Sequence, residues 1–315
     1  MVFYVLKKMA PVIEVLTERA ILGEGPHWDE AMQSLYYVDI FGQTINKFVP
    51  STSTHTKARI EGGPVALVIP VEGTNNKFLV GLGRKLITVT WDGVSDKVSN
   101  IEELLEVENE PGFTNNRWND GKADPTGRLW AGTMGPEPEI GKLEKEKGAL
   151  YTLIGRNRVK THLTKVSIAN GLAWNVKLKK MYYIDSPRRT VDQYDYNIDK
   201  GEICNRKPIF NLDHHDIPGV PDGMTIDADG NLWVAVFDGG RLLHINPTTS
   251  ELITTITFPA KQITSAAFGG ANLDELYVTS AQLVVKGEKQ PHPAGALFRL
   301  TGTGAKGLPG VKVKL

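Results

Sequence analysis

One short strand pattern returns six times along the chain, and nothing else in the sequence narrows the fold as far. LYYVDI (35–40), FLVGLG (78–83), LWAGTM (129–134), MYYIDS (181–186), LWVAVF (232–237) and LYVTSA (276–281) share an apolar, β-prone core. Counted from Val38, Val80, Ala131, Ile184, Val234 and Val278, the gaps are 42, 51, 53, 50 and 44 residues. Self-similarity at such a period marks a repeat architecture. Most copies follow a cluster such as DPTGR, DADGN or GGANLDE, whose Asp, Asn and Gly residues suit tight turns. Further apolar runs come after, as in KLITVTW (85–91) and RLLHINP (241–247). About four short strands per repeat, six times over, predicts an all-β six-bladed β-propeller. A β-sandwich would not explain so long a period, and a solenoid needs shorter repeats and caps. VIEVL (12–16) is predicted to close the ring beside ALFRLTG (296–302), which removes two open strand edges. No linker interrupts the array. Residues 11–315 are therefore expected to form a single propeller domain, with 1–10 as a disordered N-terminal extension.

Aligning the repeats on the residue that opens each turn places Asp29, Asp124, Asn175, Asp227 and Gly270 in register. Five residues before each stand Glu24, Asn119, Asn170, Asp222 and Ser265. The second repeat offers only small or apolar residues there, in GGPVALVIP (62–70). The first strand of a propeller blade lines the central channel, so equivalent positions in successive blades share one height around one axis. Glu24, Asn119, Asn170 and Asp222 should converge there. Singly, each would be expected to bond to nearby loop backbone. Two carboxylates and two amides facing one axis need a neutraliser, because like charges in a narrow channel are costly. A divalent cation is the natural one. Calcium takes carboxylate and amide oxygens plus water, and magnesium, manganese and zinc are alternatives.

At these residues the chain resembles the senescence-marker-protein, gluconolactonase and regucalcin family of six-bladed propellers. The matching segments are LGEGPHW (22–28), NNRWNDGKADPTGRLWAGTM (115–134), IANGLAW (168–174), PDGMTIDADGNLWVAVF (221–237) and TSAAFGG (264–270). The runs KKMYYIDS, NLDELYVTSA and GVKVKL look most like insect members, including the beetle luciferin-regenerating enzyme. The resemblance implies one divalent metal ion, calcium first, bound by Glu24, Asn170 and Asp222 with Asn119 close by. It also implies substrate contacts from Arg117, Asn119 and Glu137. Arg117 and Asn119 are two apart, so on a strand they share a face. Glu137 lies in GTMGPEPEIG, where the extra Pro136 departs from the family pattern. The loop 135–148 is expected at the channel mouth, where it could act as a lid.

Such a site suits hydrolysis of a cyclic ester. A metal with open positions polarises a carbonyl and acidifies water. Arg117 would orient an oxygen-rich or anionic group, and Asp222 would pass a proton between water and leaving group. Asp222 then serves as both ligand and base, which is in tension, because a cation lowers the basicity of a carboxylate it binds. The resemblance favours sugar lactones, with a luciferin-related heterocycle as another substrate. The alternative is a calcium-binding or regulatory protein of the regucalcin type that catalyses nothing. No G-x-S-x-G elbow, H-E-x-x-H or P-loop competes with this reading. DADGN (227–231) has its glycine in the fourth place rather than the sixth and reads as a hairpin turn, not a calcium loop. Trp28, Trp130, Trp174 and Trp233 recur at one strand position and are expected to pack between blades. His214 and His215, adjacent in a loop leading to Asp222, are not expected to ligate one metal together, and the sequence leaves their role open, a place at the mouth being one candidate.

The expected partner is a small-molecule substrate. Lys plus Arg equals Asp plus Glu, 36 each, which argues against a nucleic acid or an anionic membrane surface. Cys204 is the only cysteine, so no internal disulfide forms, in keeping with a reducing, cytoplasmic compartment.

Overall fold

The computed structural model describes residues 10–139, 141–285 and 287–315. Most of the extension expected at 1–10 thus lies outside the described residues. The strands fall into six four-stranded antiparallel sheets. Five are built from consecutive strands. They begin with the inner strands Gly23–Asp29, Val65–Pro70, Arg117–Ala123, Ala169–Asn175 and Val220–Ile226. The sixth starts at Ile263–Gly269, continues through Glu275–Ser280 and Phe298–Thr301, and takes its outer strand from Val12–Val15. There Val12 pairs with Thr301 and Val15 with Phe298, and Arg299 Nη2 meets Glu14 Oε2 at 2.6 Å across the seam. The predicted closure is therefore present. Each inner strand packs against the next, and the sixth meets the first, so the six blades form a closed propeller.

The burial pattern explains why these sequences become these strands. Second strands such as Ser34–Asp39 and Leu129–Met134 are buried at every position, because a blade is covered on both faces by its neighbours. Outer strands such as Glu202–Asn211 meet solvent and are largely exposed. Apolar residues accordingly gather into six clusters, each shared by two adjacent blades. The four recurring tryptophans sit in them. Trp28 stacks on Tyr277 at 5.3 Å between the first and last blades, and Trp233 meets Phe268 edge-on at 6.0 Å. DADGN is a hairpin turn, as read: Asp227 Oδ1 accepts from the Asp229 and Asn231 N–H groups.

Every inner strand carries an irregularity at the same height. In blades 3, 4 and 5 two residues, Asn119–Asp120, Asn170–Gly171 and Asp222–Gly223, oppose a single residue of the second strand. In blade 1 the bulge follows Glu24, in blade 2 it falls at Ala66, and in blade 6 at Thr264. A bulge inserts one residue and re-aims the side chains beside it. It also corrects the alignment of the last repeat, where the register puts Thr264 rather than Ser265 at the level of Asp222. Thr264 does not enter the site. Its hydroxyl donates to Gly23 O at 2.6 Å and stitches the sixth blade to the first.

Residues 302–315 run across the turn end of the inner strands. Gly307 N–H bonds to Leu273 O, Val313 N–H to Pro70 O and Lys314 N–H to Gly127 O. Lys312 Nζ lies 2.9 Å from Asp29 Oδ2. The tail thereby ties turns of blades 6, 1, 2 and 3, and Val313 is fully buried between blades 2 and 3. Among the described residues no helix is long and apolar enough to cross a membrane.

Candidate functional site

The bulges turn Glu24, Asn119, Asn170 and Asp222 toward one cavity at the other end of the inner strands. All four line it, together with Arg117 and Glu137. The cavity measures about 370 Å³, near the lower end of the range for small-molecule pockets. The residues expected at the site, spread over four blades and one loop, are brought together. His214 and His215 do not line it; His215 stacks on Phe210 at 4.3 Å instead. Loop 135–148, expected at the mouth, contributes Glu137, Gly141, Leu143 and Lys145, whereas residues 211–221 contribute only Val220.

The carboxylates pay for their placement in proton affinity. Burial first, then the nearby Asp120 carboxylate, pushes Glu24 up to about 8. Burial, followed by Glu24 and Asp120, holds Asp222 well above the usual carboxylate range. Asp120, raised by burial too, is a third acid that sequence reasoning passed over. Its signal was the RWNDGK run itself, in which Asp120 shares the bulge with Asn119. Each acid leans on the glycine that follows it: Gly25 N–H donates to Glu24 Oε2 at 2.9 Å and Gly121 N–H to Asp120 Oδ1 at 2.7 Å. Two buried cations face these acids. Burial pulls Arg117 down to about 10 and lowers Lys122, whose Nζ donates to Met224 O at 2.7 Å.

A chain of hydrogen bonds joins the polar residues. Arg117 Nη1 donates to Asn119 Oδ1 at 2.7 Å and to Trp118 O at 2.9 Å. Asn119 Nδ2 donates to Ala169 O at 2.8 Å and to Asn170 Oδ1 at 3.1 Å. Asn170 Nδ2 donates to Ser186 Oγ at 2.7 Å, and Ser186 Oγ donates to Pro221 O at 2.6 Å. Both hydrogens of the Asn119 amide are thus engaged, and its oxygen holds Arg117 while keeping a second lone pair. Among the described residues Arg117 donates through Nη1, leaving its other N–H groups for a ligand. The Phe41 ring lies 5.7 Å from the guanidinium carbon, in the range of a cation–π contact. Glu137 reaches the cavity despite Pro136, and its Oε1 accepts from Gly141 N–H at 2.8 Å.

The donor set fits a hard divalent cation: two carboxylates and one amide oxygen, buried on the inner strands of blades 1, 4 and 5, in a patch where acids outnumber cations. Asn170 Oδ1 accepts one bond and retains a second lone pair. Among the described residues no group of three His, Cys, Asp or Glu side chains is arranged to hold a metal. Above this polar floor the wall is apolar, with Ile40, Phe41, Met134, Phe237 and Leu283 from four different blades.

The sequence profile of the SMP-30/gluconolactonase/LRE-like region matches residues 22–282. Regucalcin of Pongo abelii is 37% identical over 297 residues, spanning 93% of this chain and 95% of that protein. Regucalcin of Gallus gallus is 38% identical over 296 residues, with 93% and 95% covered. Among solved structures, a luciferin-regenerating enzyme superposes with a TM-score of 0.91 at 45% identity, over 97% of this chain and all 100% of that one. A calcium-binding regucalcin from Agrobacterium tumefaciens superposes with a TM-score of 0.81 at 23% identity, over 96% and 97% of the two chains, a likeness of fold.

Proposed function

The chain belongs to the SMP-30/gluconolactonase/LRE-like family, and from that premise we propose that it hydrolyses small cyclic esters with the help of one divalent cation. The observation that carries the proposal is the meeting of Glu24, Asn170, Asp222 and Arg117 in one small cavity. Glu24, Asn170 and Asp222 would hold the ion, calcium by the hardness of their oxygens. The bound ion would polarise a carbonyl and acidify water.

The remaining chemistry falls to the chain. The free N–H groups of Arg117 orient the ester or the carboxylate product, and Asn119 keeps that side chain aimed. Asp222 accepts the proton as water attacks the carbonyl carbon, then returns it to the ring oxygen as the C–O bond breaks. Its two oxygens would let one hold the ion and the other meet the water. Glu137 closes the arginine side of the pocket. The apolar wall sheds water and contacts the body of the substrate. A sugar lactone and a luciferin-related heterocycle both present a carbonyl beside a ring, and the wall of Ile40, Phe41 and Phe237 matches the second more closely.

Arg117 and Glu137 favour catalysis over simple calcium handling, since neither is needed to hold an ion. The test is hydrolysis of a lactone panel by calcium- or manganese-loaded protein and by Asp222→Asn. The wild-type protein is expected to turn over at least one lactone, with activity lost on chelation and lowered at least 100-fold in Asp222→Asn, the order of a missing proton-transfer group. Metal binding without turnover by either protein would leave the calcium-binding reading in its place.

A further inference from the structure

We propose that Ser186 is a positioning residue that sets the polarity of the Asn170 amide, so that the oxygen and not the nitrogen faces the metal site. The proposal rests on the metal reading of Glu24, Asn170 and Asp222. Its basis is the hydrogen-bond chain from Arg117 to Pro221, which runs through blades 3, 4 and 5.

An asparagine amide is nearly symmetric in shape. It can turn over and exchange oxygen for NH₂ with little change in packing. A flipped Asn170 would turn its NH₂ toward the Asn119 amide nitrogen and offer a cation no oxygen on that side. Both ends of the chain forbid this. At one end stands an arginine, which only donates, so Asn119 must turn its oxygen toward Arg117 and its NH₂ toward Asn170. At the other end stands the Pro221 carbonyl, which only accepts. Ser186 must therefore spend its single hydrogen on Pro221 O and can only accept from Asn170. That demand places Nδ2 on Ser186 and Oδ1 on the opposite side.

Without the hydroxyl, one of the two constraints goes. Asn170 would then be held only by the 3.1 Å bond from Asn119, the longest of the chain. Ser186 is 1% exposed and lines the cavity. Because Ser186 grips the carbonyl of the residue before Asp222, the same hydroxyl also ties one candidate ligand to the backbone of another.

The test uses Ser186→Ala, Ser186→Cys and Ser186→Thr in the full chain. Calcium alone and manganese alone are titrated calorimetrically into chelator-treated protein. Ser186→Ala is expected to bind 10- to 100-fold more weakly, as for outer partners of metal ligands, while unfolding within a few degrees of wild type in chelator. Ser186→Cys keeps the shape with a much weaker bond and should lose affinity in the same direction. Ser186→Thr keeps the hydroxyl and should recover affinity to within about threefold. Equal affinity in wild type and Ser186→Ala overturns the proposal. A second readout needs no metal. The Asn170 side-chain amide protons, assigned by their loss in Asn170→Asp, should exchange slowly in apo wild type and rapidly in Ser186→Ala. Unchanged exchange overturns the proposal as well. Should the wild-type protein bind neither ion, the metal reading falls, and the exchange data still decide whether Ser186 holds the amide.

Discussion

His27, three residues along the strand from Glu24, shows the cost of burying a titratable ring. Its Nε2 has no hydrogen-bond partner among the described residues, and burial brings its pKa down to about 4. The folded value lies below the unfolded one of 6.5, so between pH 4 and 6.5 the unfolded chain binds more protons. Stability is then complete above pH 6.5 and falls as the pH drops through that window, by about 3 kcal/mol for this ring. Urea unfolding at pH 4.5 and 7.5 should show a smaller difference in His27→Gln than in wild type. An identical difference would mean that the ring titrates normally in the fold. Glu24 and Asp222 illustrate the opposite choice: there the cost of burying acids is kept where a ligand can offset it.

At the scale of the strand, the bulge is the device that builds the site, and glycine makes it possible. Gly171 and Gly223 follow the candidate ligands Asn170 and Asp222 in the bulges of blades 4 and 5. Neighbouring inner strands approach so closely there that a Cβ on Gly171 would lie 2.6 Å from Met224 Cβ, and one on Gly223 would overlap the Ser265 side chain. Gly223→Ala is accordingly expected to lose about 1–3 kcal/mol through overpacking. The effect should couple to Ser265. In a double-mutant cycle of thermal or urea unfolding, Ser265→Gly should return at least 0.5 kcal/mol of the loss. Strict additivity of the two changes would show that the strands are looser than this contact implies.

For the whole molecule, the two chain ends do different work. The N-terminal strand Val12–Val15 closes the ring at its rim. The C-terminal tail closes the channel at the turn end, away from the candidate site, and inserts Val313 between blades 2 and 3. Deleting residues 306–315 removes that apolar anchor, several backbone hydrogen bonds and the Lys312–Asp29 pair. The sum is several kcal/mol, or roughly 5–10 °C in Tm for a chain of this size. A calorimetric scan of the truncated protein should show that loss, with metal affinity at 10 °C kept within a fewfold of the full chain. An unchanged Tm would reduce the tail to a surface attachment.

The repeat period, the strand closing the ring and the height of Glu24, Asn119, Asn170 and Asp222 could all be read from the residues alone. Each depends on short-range signals, the DPTGR and DADGN turns above all, that fix a side chain's place by counting from its own hairpin. Counting also explains the one slip: the GGANLDE turn is built differently, so five residues back lands on Ser265 instead of Thr264. What only the assembled ring decides is how residues of different blades meet. Asp120 becomes part of an acidic cluster because Glu24 and Asp222 face it from other blades, and the apolar wall exists because Phe41, Phe237 and Leu283 lean over one opening. Ser186 acquires its partner Pro221 from the next blade, and with it the direction of its bond to Asn170. The local chain dictates where each strand turns; the facing of one blade on the next dictates which atom looks into the channel.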